Sequence, residues 1–321
     1  MSDTQEDLGF LSSARYGKDL VRVARVVRTP AADGKPAKQE VVEYVVRALL
    51  EGDFAESYDA ADNTRIVATD SIKNTTYIMA KVSPHVMTPE LFALHLGTHF
   101  VTKYSHIQKA HIDIQSLRWS RIDVQDIGAH PHSFVRDGDE KRVVSVVVDG
   151  TSTDDITAIV KSGVKDLLVL KTAGSSFTNF LRDEFTTLPE VDDRIFSTSI
   201  TCDYTVTLPP NIPLTIDNLN KIGAEVQFEK LASTARTTTL EVFATHDSAS
   251  VQATLYRAAQ TILSRASSIK EVFYSLPNKH YMPVNLKPFN LENGKGREGL
   301  VEVFEPVASP SGLIQATITR K

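Results

Sequence analysis

Two polar side chains that could do chemistry interrupt an apolar strand pattern in the second half of the chain. Counted from Val272 to Leu286, every second residue is apolar or aromatic except Asn278 and His280. This alternation predicts one strand with a buried face. A buried polar group without a partner costs roughly 1–3 kcal/mol. We therefore expect both side chains to bond to protein, water or a substrate. Taken alone, such a histidine is more often a satisfied core residue than a catalyst.

Other histidines have the spacing of metal ligands. His95 and His99 stand four residues apart on a predicted helix, as two zinc ligands would. No glutamate follows His95 and no third ligand is apparent, so we favour a solvated or interface-facing pair. His130 and His132 form a second metal-like pair. The single cysteine, Cys202, excludes a multi-cysteine site and a disulfide framework. The sequence therefore predicts no metal site.

Composition narrows the class of protein. The 321 residues suffice for about two domains, and 41% hydrophobic with 23% charged residues is typical of globular proteins. A net charge of −5 provides no basic field for nucleic acid. No apolar run approaches the roughly 18 residues that cross a bilayer, and "MSDTQEDLGF" lacks the apolar part of a secretory signal. We expect a soluble intracellular protein that binds neither nucleic acid nor membrane.

The elements that must position any site follow a repeated order. "YGKDLVRVARVVRT" and "QEVVEYVVRALLEGDF" predict a hairpin around the turn "PAADGKPAK". "TDSIKNTTYIMAK" has Ile72, Thr76 and Met79 at helical spacing. "TPELFALHLGTHFVTKY" predicts a second helix, with Thr88 as its cap and an apolar stripe at positions 92, 96 and 100. "AHIDIQSLRWSRI" and "EKRVVSVVVDG" predict two further strands.

The second half repeats this order. "VKDLLVLKT" and "FSTSITCDYTVTL" predict strands, "FEKLASTARTTTLEVFATH" and "SVQATLYRAAQTILSRASS" predict helices, and strands close the chain. Two β-β-α-α-β-β halves indicate a tandem α+β protein, with one domain over residues 1–150 and the other over 151–321. Each domain is expected to be an antiparallel sheet covered on one face by helices. The open sheet edges favour oligomerisation.

Six segments, in order along the chain, together resemble the urate oxidase (uricase) family. They are "YGKDLVRV", "VATDSIKNT", "HPHSFVRDGDEKR", "LVLKTAGSSFTNFLRDEFTTLPEVDDRI", "SASVQATLYRAAQTIL" and "SLPNKHY". The resemblance, closest to eukaryotic and fungal members, implies two tandem tunnelling-fold (T-fold) domains. It also implies a homotetramer around a central tunnel, with active sites at subunit interfaces, and a structural role for His130 and His132. The reaction it implies converts urate, dioxygen and water to 5-hydroxyisourate and hydrogen peroxide, without metal or organic cofactor.

The resemblance also assigns residues. The implied catalytic residues are Lys18, Thr69 and His280. The implied substrate-binding residues are Thr69, Asp70, Phe177, Arg194, Val251, Gln252 and Asn278. His280 would hydrogen-bond Lys18 and help set its protonation state, and Thr69 would relay a proton between Lys18 and a water above the purine ring. Asn278 would position that water or the dioxygen that replaces it. The three implied catalytic residues, Lys18, Thr69 and His280, are expected to meet Phe177, Arg194 and Gln252 across a subunit boundary.

The residue types suit a flat, electron-rich anion. Arg194 offers a planar fork of donors for one edge of the purine, and Gln252 offers a donor and an acceptor for the other. Phe177 can stack on the ring. Val251 and Gln252 begin one helix and Asp70 another, so free N–H groups and a positive dipole end face the anion.

Two departures and two alternatives stay open. Residues 199–204 differ from the usual family pattern, which puts local sheet packing in doubt but not the reaction. The C-terminal "ATITRK" is not Ser-Lys-Leu, although the resemblance implies a peroxisomal enzyme; otherwise we expect the cytoplasm. The alternatives are a pterin-type T-fold enzyme, such as a cyclohydrolase or aldolase, and a non-catalytic purine-binding tetramer.

Overall fold

The computed structural model describes residues 8–32, 37–152, 155–294, 301–308 and 311–321. They form two compact units. Unit 1 comprises Met1–Arg136, Val144–Val160 and Leu208–Val226, and unit 2 comprises Asp137–Val143, Lys161–Thr207 and Gln227–Lys321. No helix among the described residues is both long enough and apolar enough to cross a membrane.

Unit 1 is built on a sheet whose strands lie in a simple order. Its strands are β1 (Tyr16–Thr29), β2 (Lys38–Gly52), β3 (Ile107–Leu117), β4 (Ser120–Val124), β5 (Gly128–Val135) and most of β6 (Lys141–Asp149). The sheet order is β1-β2-β3-β6, with β1 antiparallel to β2 and β2 antiparallel to β3. β4 and β5 form a separate two-stranded ribbon. The predicted hairpin is confirmed; residues 33–36 of its turn lie outside the described residues.

The described part of unit 1 contains four α-helices. They are α1 (Glu56–Asp59), α2 (Thr69–Val82), α3 (Pro89–Lys103) and α4 (Leu219–Val226). α2 packs on β1 and α3 on β3. The predicted faces are confirmed, because positions 72, 76 and 79 of α2 and 92, 96 and 100 of α3 are buried. A Cβ on Gly97 would lie 2.5 Å from Val148 Cγ2, so only glycine lets α3 approach β6 this closely. Thr88 occupies the N-cap position of α3, but its side chain makes no capping bond, so that detail was wrong.

Unit 2 repeats the order of elements. It contains most of β7 (Thr157–Lys171), β8 (Phe196–Val206), α5 (Phe228–Thr245), α6 (Val251–Arg265), β9 (Ile269–Lys279), β10 (Tyr281–Pro283), β11 (Phe304–Pro306) and β12 (Gly312–Thr319). The sheet order is β7-β8-β9-β12, with β9 antiparallel to both neighbours β8 and β12. The predicted stripe of α6 is buried at positions 251, 255, 258 and 262. The predicted β-β-α-α-β-β duplication is thereby confirmed.

The segment that departs from the family pattern forms a regular part of β8. Ile200, Cys202 and Tyr204 alternate into the core, and positions 201–204 pair with β9 in the same register as Thr198. Burial raises the pKa of the Cys202 thiol to about 12, so this thiol acts as a neutral packing group. Behind it, Thr239 Oγ1 and the Tyr274 hydroxyl are 2.6 Å apart.

Some expected strands have different ends. The alternation from Val272 does not form one strand, because β9 ends at Lys279 and the His280 carbonyl accepts the N–H of Val307 at 2.9 Å. The chain then pairs β10 with β11, which leaves Met282 54% exposed. Similarly, "AHIDIQSLRWSRI" is not a single strand, since β3 ends at 117 and β4 begins at 120. The sequence patterns did not predict β5 or α4.

Candidate active site

The nine predicted site residues fall into two groups, and all of them are described. The lysine group belongs to unit 1 and consists of Lys18, Thr69 and Asp70. The arginine group belongs to unit 2 and consists of Phe177, Arg194, Val251, Gln252, Asn278 and His280.

Lys18 lies where β1 changes register. It pairs with Ala48 of β2, and a bulge separates it from the next regular pair at Val21. A Cβ on Gly17 would lie 1.9 Å from the Ala48 carbonyl oxygen, so the glycine of "YGK" allows the strands to meet here. Leu20 adopts φ 54°, and its N–H bonds Asp19 Oδ1 at 2.7 Å. The half-buried lysine therefore occupies the last regular pair before a bulge in the ladder.

Tyr16 connects this strand to the segment that carries Thr69. Its hydroxyl accepts the backbone N–H of Val67 at 2.7 Å, and its ring meets Phe54 edge-on with centroids 4.8 Å apart. Burial raises the pKa of Tyr16. Tyr16 and Lys18 are two residues apart on one strand and share a face. Because Val67 is two residues before Thr69, this bond ties the lysine's strand to the threonine's segment.

The first turn of α2 carries the other two members of the lysine group. Thr69 is the first helical residue and is exposed, and no side chain caps the helix from the Ala68 position. The Lys73 ammonium donates to Asp70 Oδ1 at 2.6 Å and holds the pKa of this carboxyl below its usual value. The charge of Lys18 acts in the same direction. The lysine group thus places an amine, a hydroxyl and a helix N-terminus in one neighbourhood.

Phe177 and Arg194 are 17 positions apart in sequence and are brought together by main-chain bonds. The N–H of Phe177 donates to the Val191 carbonyl at 2.7 Å, and the reverse bond measures 3.1 Å. The N–H of Arg194 donates to the Ser175 carbonyl at 2.8 Å. As a result, the guanidinium carbon of Arg194 stands 5.3 Å from the centre of the Phe177 ring. Phe180 stacks on Phe177 with centroids 4.8 Å apart.

The same loop is fastened to the start of α6. The N–H of Ser176 donates to the Ser248 carbonyl at 2.7 Å, and the N–H of Ser248 donates to the Gly174 carbonyl at 2.9 Å. Ser250 caps the helix by accepting the N–H of Ala253 at 3.1 Å. Val251 is buried in the core while Gln252 is exposed. Phe177, Arg194 and the N-terminus of α6 are therefore held in one arrangement within unit 2.

Asn278 and His280 lie beyond the last fully buried apolar residue of β9, Leu276. Asn278 pairs with Thr198 of β8 and Gly312 of β12, and both polar side chains are half-buried. A Cβ on Gly312 would lie 3.7 Å from His280 Nε2, so this glycine keeps space beside the imidazole. The two side chains are thus at the end of the covered sheet, not inside a sealed core. The predicted bond from His280 to Lys18 joins different units and stays a prediction.

The metal-like histidines have other partners. His95 Nδ1 lies 2.9 Å from Ser83 Oγ, and burial together with His85 and His99 lowers the pKa of His95 to about 4. The expectation of a solvated or interface-facing pair was wrong for His95, which is buried against unit 1 residues. His130 and His132 meet edge-on with centroids 4.5 Å apart. Across the described ranges, no group of three or more His, Cys, Asp or Glu side chains could hold a metal ion.

Comparison with known proteins decides the family. The sequence model of the uricase family matches residues 14–147 and 160–315, which is most of the chain. The chain belongs to the uricase family. The uricase of Aspergillus flavus is 46% identical over 315 residues, covering 98% of each chain, and that of Schizosaccharomyces pombe is 44% identical over 312 residues, covering 97% of this chain and 98% of the relative.

The crystal structure of a uricase from Arthrobacter globiformis agrees with the fold. Its TM-score to this chain is 0.82 at 32% identity, with 98% of this chain and 96% of that chain covered. The predicted resemblance to uricases and the tandem T-fold architecture are thereby confirmed, as is the assignment to an oxidoreductase family.

Sequence reasoning missed several residues that build the site. Tyr16 begins the "YGK" motif, and Ser250 begins the cap pattern before Val251, so both signals were present in the sequence. Thr198 lies in "RIFST", four residues after Arg194, with no signal beyond the motif itself. Ser248 contributes mainly backbone hydrogen bonds, which cannot be predicted from the residue type.

Proposed function

We propose that the chain oxidises urate with dioxygen and water to 5-hydroxyisourate and hydrogen peroxide. Membership of the uricase family supports this, as does the retention of all nine residues implied by the resemblance. The observation that carries the proposal is the position of the Arg194 guanidinium beside the Phe177 ring, on a loop fastened to the α6 N-terminus. A flat anion can there contact the Phe177 ring, the Arg194 guanidinium and the free N–H groups at the start of α6.

Urate recognition rests on complementary edges. Arg194 donates two parallel hydrogen bonds to one edge of the purine, which its rigid fork favours over a lysine. Gln252 donates and accepts at the opposite edge. Phe177 stacks on the ring, and the N–H groups at the start of α6 and α2 face the negative charge. Val251 fixes the start of α6 by packing into the core.

Proton transfer falls to the lysine group with His280. Lys18 acts as the base, Thr69 passes the proton between it and a water above the ring, and His280 supports the lysine. Asn278 positions that water or the dioxygen that replaces it. A doubly deprotonated urate is electron-rich enough to reduce dioxygen directly, so the proposed reaction needs neither metal nor organic cofactor. The two electrons leave urate, dioxygen becomes hydrogen peroxide, and water adds to the oxidised ring.

The complete site requires a homotetramer in this proposal. The lysine group comes from one subunit and the arginine group from its neighbour. Asn278 and His280 belong to the same unit as Arg194, so the proposal assigns both to the subunit that supplies Arg194. This replaces the expectation that His280 meets Arg194 across the subunit boundary. We also propose residence in the peroxisome, which rests on the family resemblance.

One experiment tests the reaction. Metal content is measured on protein that has been treated exhaustively with a chelator, and urate loss is followed by ultraviolet absorbance with parallel detection of peroxide. We expect one peroxide per urate consumed and unchanged turnover after chelation. Turnover that vanishes on chelation and returns with one specific metal would contradict the cofactor-free mechanism. Urate binding without turnover would instead favour a non-catalytic purine-binding tetramer, and turnover of pterins alone would favour a pterin-type enzyme.

A further inference from the structure

We propose that Thr198 is a further contact of the active site, whose hydroxyl holds the water or dioxygen that Asn278 positions. The inference rests on the proposed function. Thr198 is 1% exposed, and no described residue provides a hydrogen-bond partner for its Oγ1. Buried hydroxyls nearly always have a partner, so a lone one in a native protein indicates a water or ligand that completes it.

The register places this hydroxyl next to Asn278. Thr198 of β8 lies directly opposite Asn278 of β9 in an antiparallel pair. Such residues share a face of the sheet, with Cβ atoms about 5 Å apart. The next residues inward on that face, Ile200 and Leu276, are buried and apolar. Ile200 and Leu276 therefore separate Thr198 and Asn278 from the buried hydroxyl of Tyr274 further along the same face.

The pair suits a small oxygen ligand. The hydroxyl of Thr198 both donates and accepts, and the Asn278 carboxamide does the same through separate atoms. A ligand of one or two oxygen atoms can bond both side chains, while the apolar residues beyond them provide no further polar partner. Arg194 lies four residues before Thr198 and two before the start of β8, so the residue that orients urate and the proposed oxygen contact belong to one continuous segment.

The hydroxyl would act on the dioxygen half of the reaction. As dioxygen accepts electrons from urate, negative charge develops on its oxygen atoms. A preorganised donor aimed at that charge stabilises the transition state more than the ground state. Thr198 is not consumed, because the protons of hydrogen peroxide come from urate and water. Replacing the hydroxyl by a methyl group should therefore weaken the use of dioxygen more than the binding of urate.

Two substitutions at one position test this role. In Thr198→Val the shape remains and the hydroxyl is lost, whereas Thr198→Ser keeps the hydroxyl. Steady-state rates are measured while urate and dioxygen are varied separately. We expect Thr198→Val to lower kcat/KM for dioxygen about tenfold, the effect of one hydrogen bond, with KM for urate nearly unchanged. Thr198→Ser should regain most of the activity.

The thermal stability of the variant and a control substitution on the same strand distinguish a role in dioxygen binding from a role in packing. Because no described residue bonds this hydroxyl, its removal should leave the thermal midpoint of Thr198→Val close to that of the wild type. Thr201→Val, on the opposite face of β8, should leave the dioxygen kinetics unchanged. An unchanged kcat/KM for dioxygen in Thr198→Val would overturn the inference. It would also be overturned if the valine and serine variants lost kcat/KM for dioxygen equally and both had lowered thermal midpoints. Absence of urate turnover in the wild type would instead overturn the proposed function itself.

Discussion

Lys18 and Arg194 are both cations, yet the proposed roles make different demands on them. Lys18 must gain and lose a proton, so the nitrogen itself matters. Arg194 must present a fork beside the Phe177 ring, so its geometry matters. A loss of an interaction made only in the transition state lowers kcat and kcat/KM together, while a loss of uniform binding raises KM. Kinetics can therefore separate the two residues.

For Lys18→Met we expect kcat to fall by about 10²–10⁴, the usual contribution of a general base. Methionine keeps the bulk of the side chain but has no basic nitrogen, so proton relay through Thr69 fails while urate still binds. Steady-state kinetics over a range of pH values check this. A near-normal kcat combined with a collapse of urate affinity would show that Lys18 binds substrate rather than moving a proton.

For Arg194→Lys we expect the main effect in KM for urate. Lysine keeps the charge and loses the fork, so bidentate recognition fails, and kcat falls to a smaller extent because the ring is held less firmly. Binding of urate in the absence of dioxygen, measured by calorimetry, gives the affinity directly. An unchanged affinity would mean that Arg194 does not contact the substrate edge.

At the scale of elements, one tyrosine hydrogen-bonds strand β1 to the segment that leads into α2, in addition to the packing between these two elements. The Tyr16 hydroxyl holds the N–H of Val67, and so sets the approach of the Thr69 segment to the strand of Lys18. Among the hydrogen bonds that the described residues show, none made by the lysine group itself provides this connection. The spacing of the Lys18 amine and the Thr69 hydroxyl should therefore respond to Tyr16, which we treat as a positioning residue.

Tyr16→Phe should reduce kcat about tenfold, because a small displacement of Thr69 disturbs the proton relay. Stability should fall by about 1 kcal/mol, since the Val67 N–H loses its partner. Tyr44→Phe is the matched control: Tyr44 is also buried in unit 1, and its hydroxyl donates to the Val86 carbonyl at 2.6 Å. That variant should lose stability and keep kcat. An equal kcat in Tyr16→Phe and Tyr44→Phe would show that Tyr16 does not position the proton relay.

A cluster of three histidines, two on α3 and one in the turn before it, predicts a pH-dependent stability. The pKa of His95 is lowered to about 4 by burial and by its neighbours His85 and His99, whose pKa values are also lowered by burial. Because the folded state disfavours the charged imidazole, the unfolded chain binds more protons between about pH 6.5 and pH 4. The stability contribution is complete above pH 6.5 and declines as the pH falls towards 4, by at most about 3 kcal/mol for His95.

His95→Gln should therefore make the free energy of unfolding less sensitive to pH in that window. Urea unfolding at pH values above 6.5 and near 4 measures the difference, with the exposed His132→Gln as the control. If both variants kept the wild-type slope, the acid sensitivity would arise from other groups.

Long, strongly periodic elements were predictable from the sequence, and short or tertiary features were not. β2, α2 and α6 each have a clear period over their length, so local pattern and burial agree. α4 has only eight residues and depends on packing against α3, where a Cβ on Gly223 would lie 2.7 Å from Leu91 Cδ1. In the site, motifs supplied the residue types, but the main-chain bonds that join position 177 to 191 and 176 to 248 connect distant positions without any pattern.

At the scale of the whole molecule, the proposal divides each active site between two chains. Unit 1 carries the lysine group and unit 2 the arginine group, so a variant that damages only one group leaves the other intact. In a cyclic or dihedral assembly every subunit gives one group and receives the other. Complementation between two inactive variants should therefore be possible.

Mixing Thr69→Ala with Arg194→Ala should restore activity after subunit exchange. With random assembly, about one quarter of the sites combine an intact lysine group with an intact arginine group. Activity should thus approach a quarter of the wild-type value, and each parent alone should remain inactive. Exchange is verified independently by energy transfer between labelled subunits. Full exchange without any rescue would show that each site is completed within one chain.

The loop that carries Phe177 and Arg194 is tied down by backbone atoms at residues 174–177, 191, 194 and 248. These backbone hydrogen bonds do not depend directly on which side chains occupy the positions between them. Phe180 stacks on Phe177 and so belongs to the fixed part of the loop, but residues 181–189 can be substituted without breaking these backbone bonds. This stretch is therefore a suitable place for laboratory libraries that seek new oxidisable substrates.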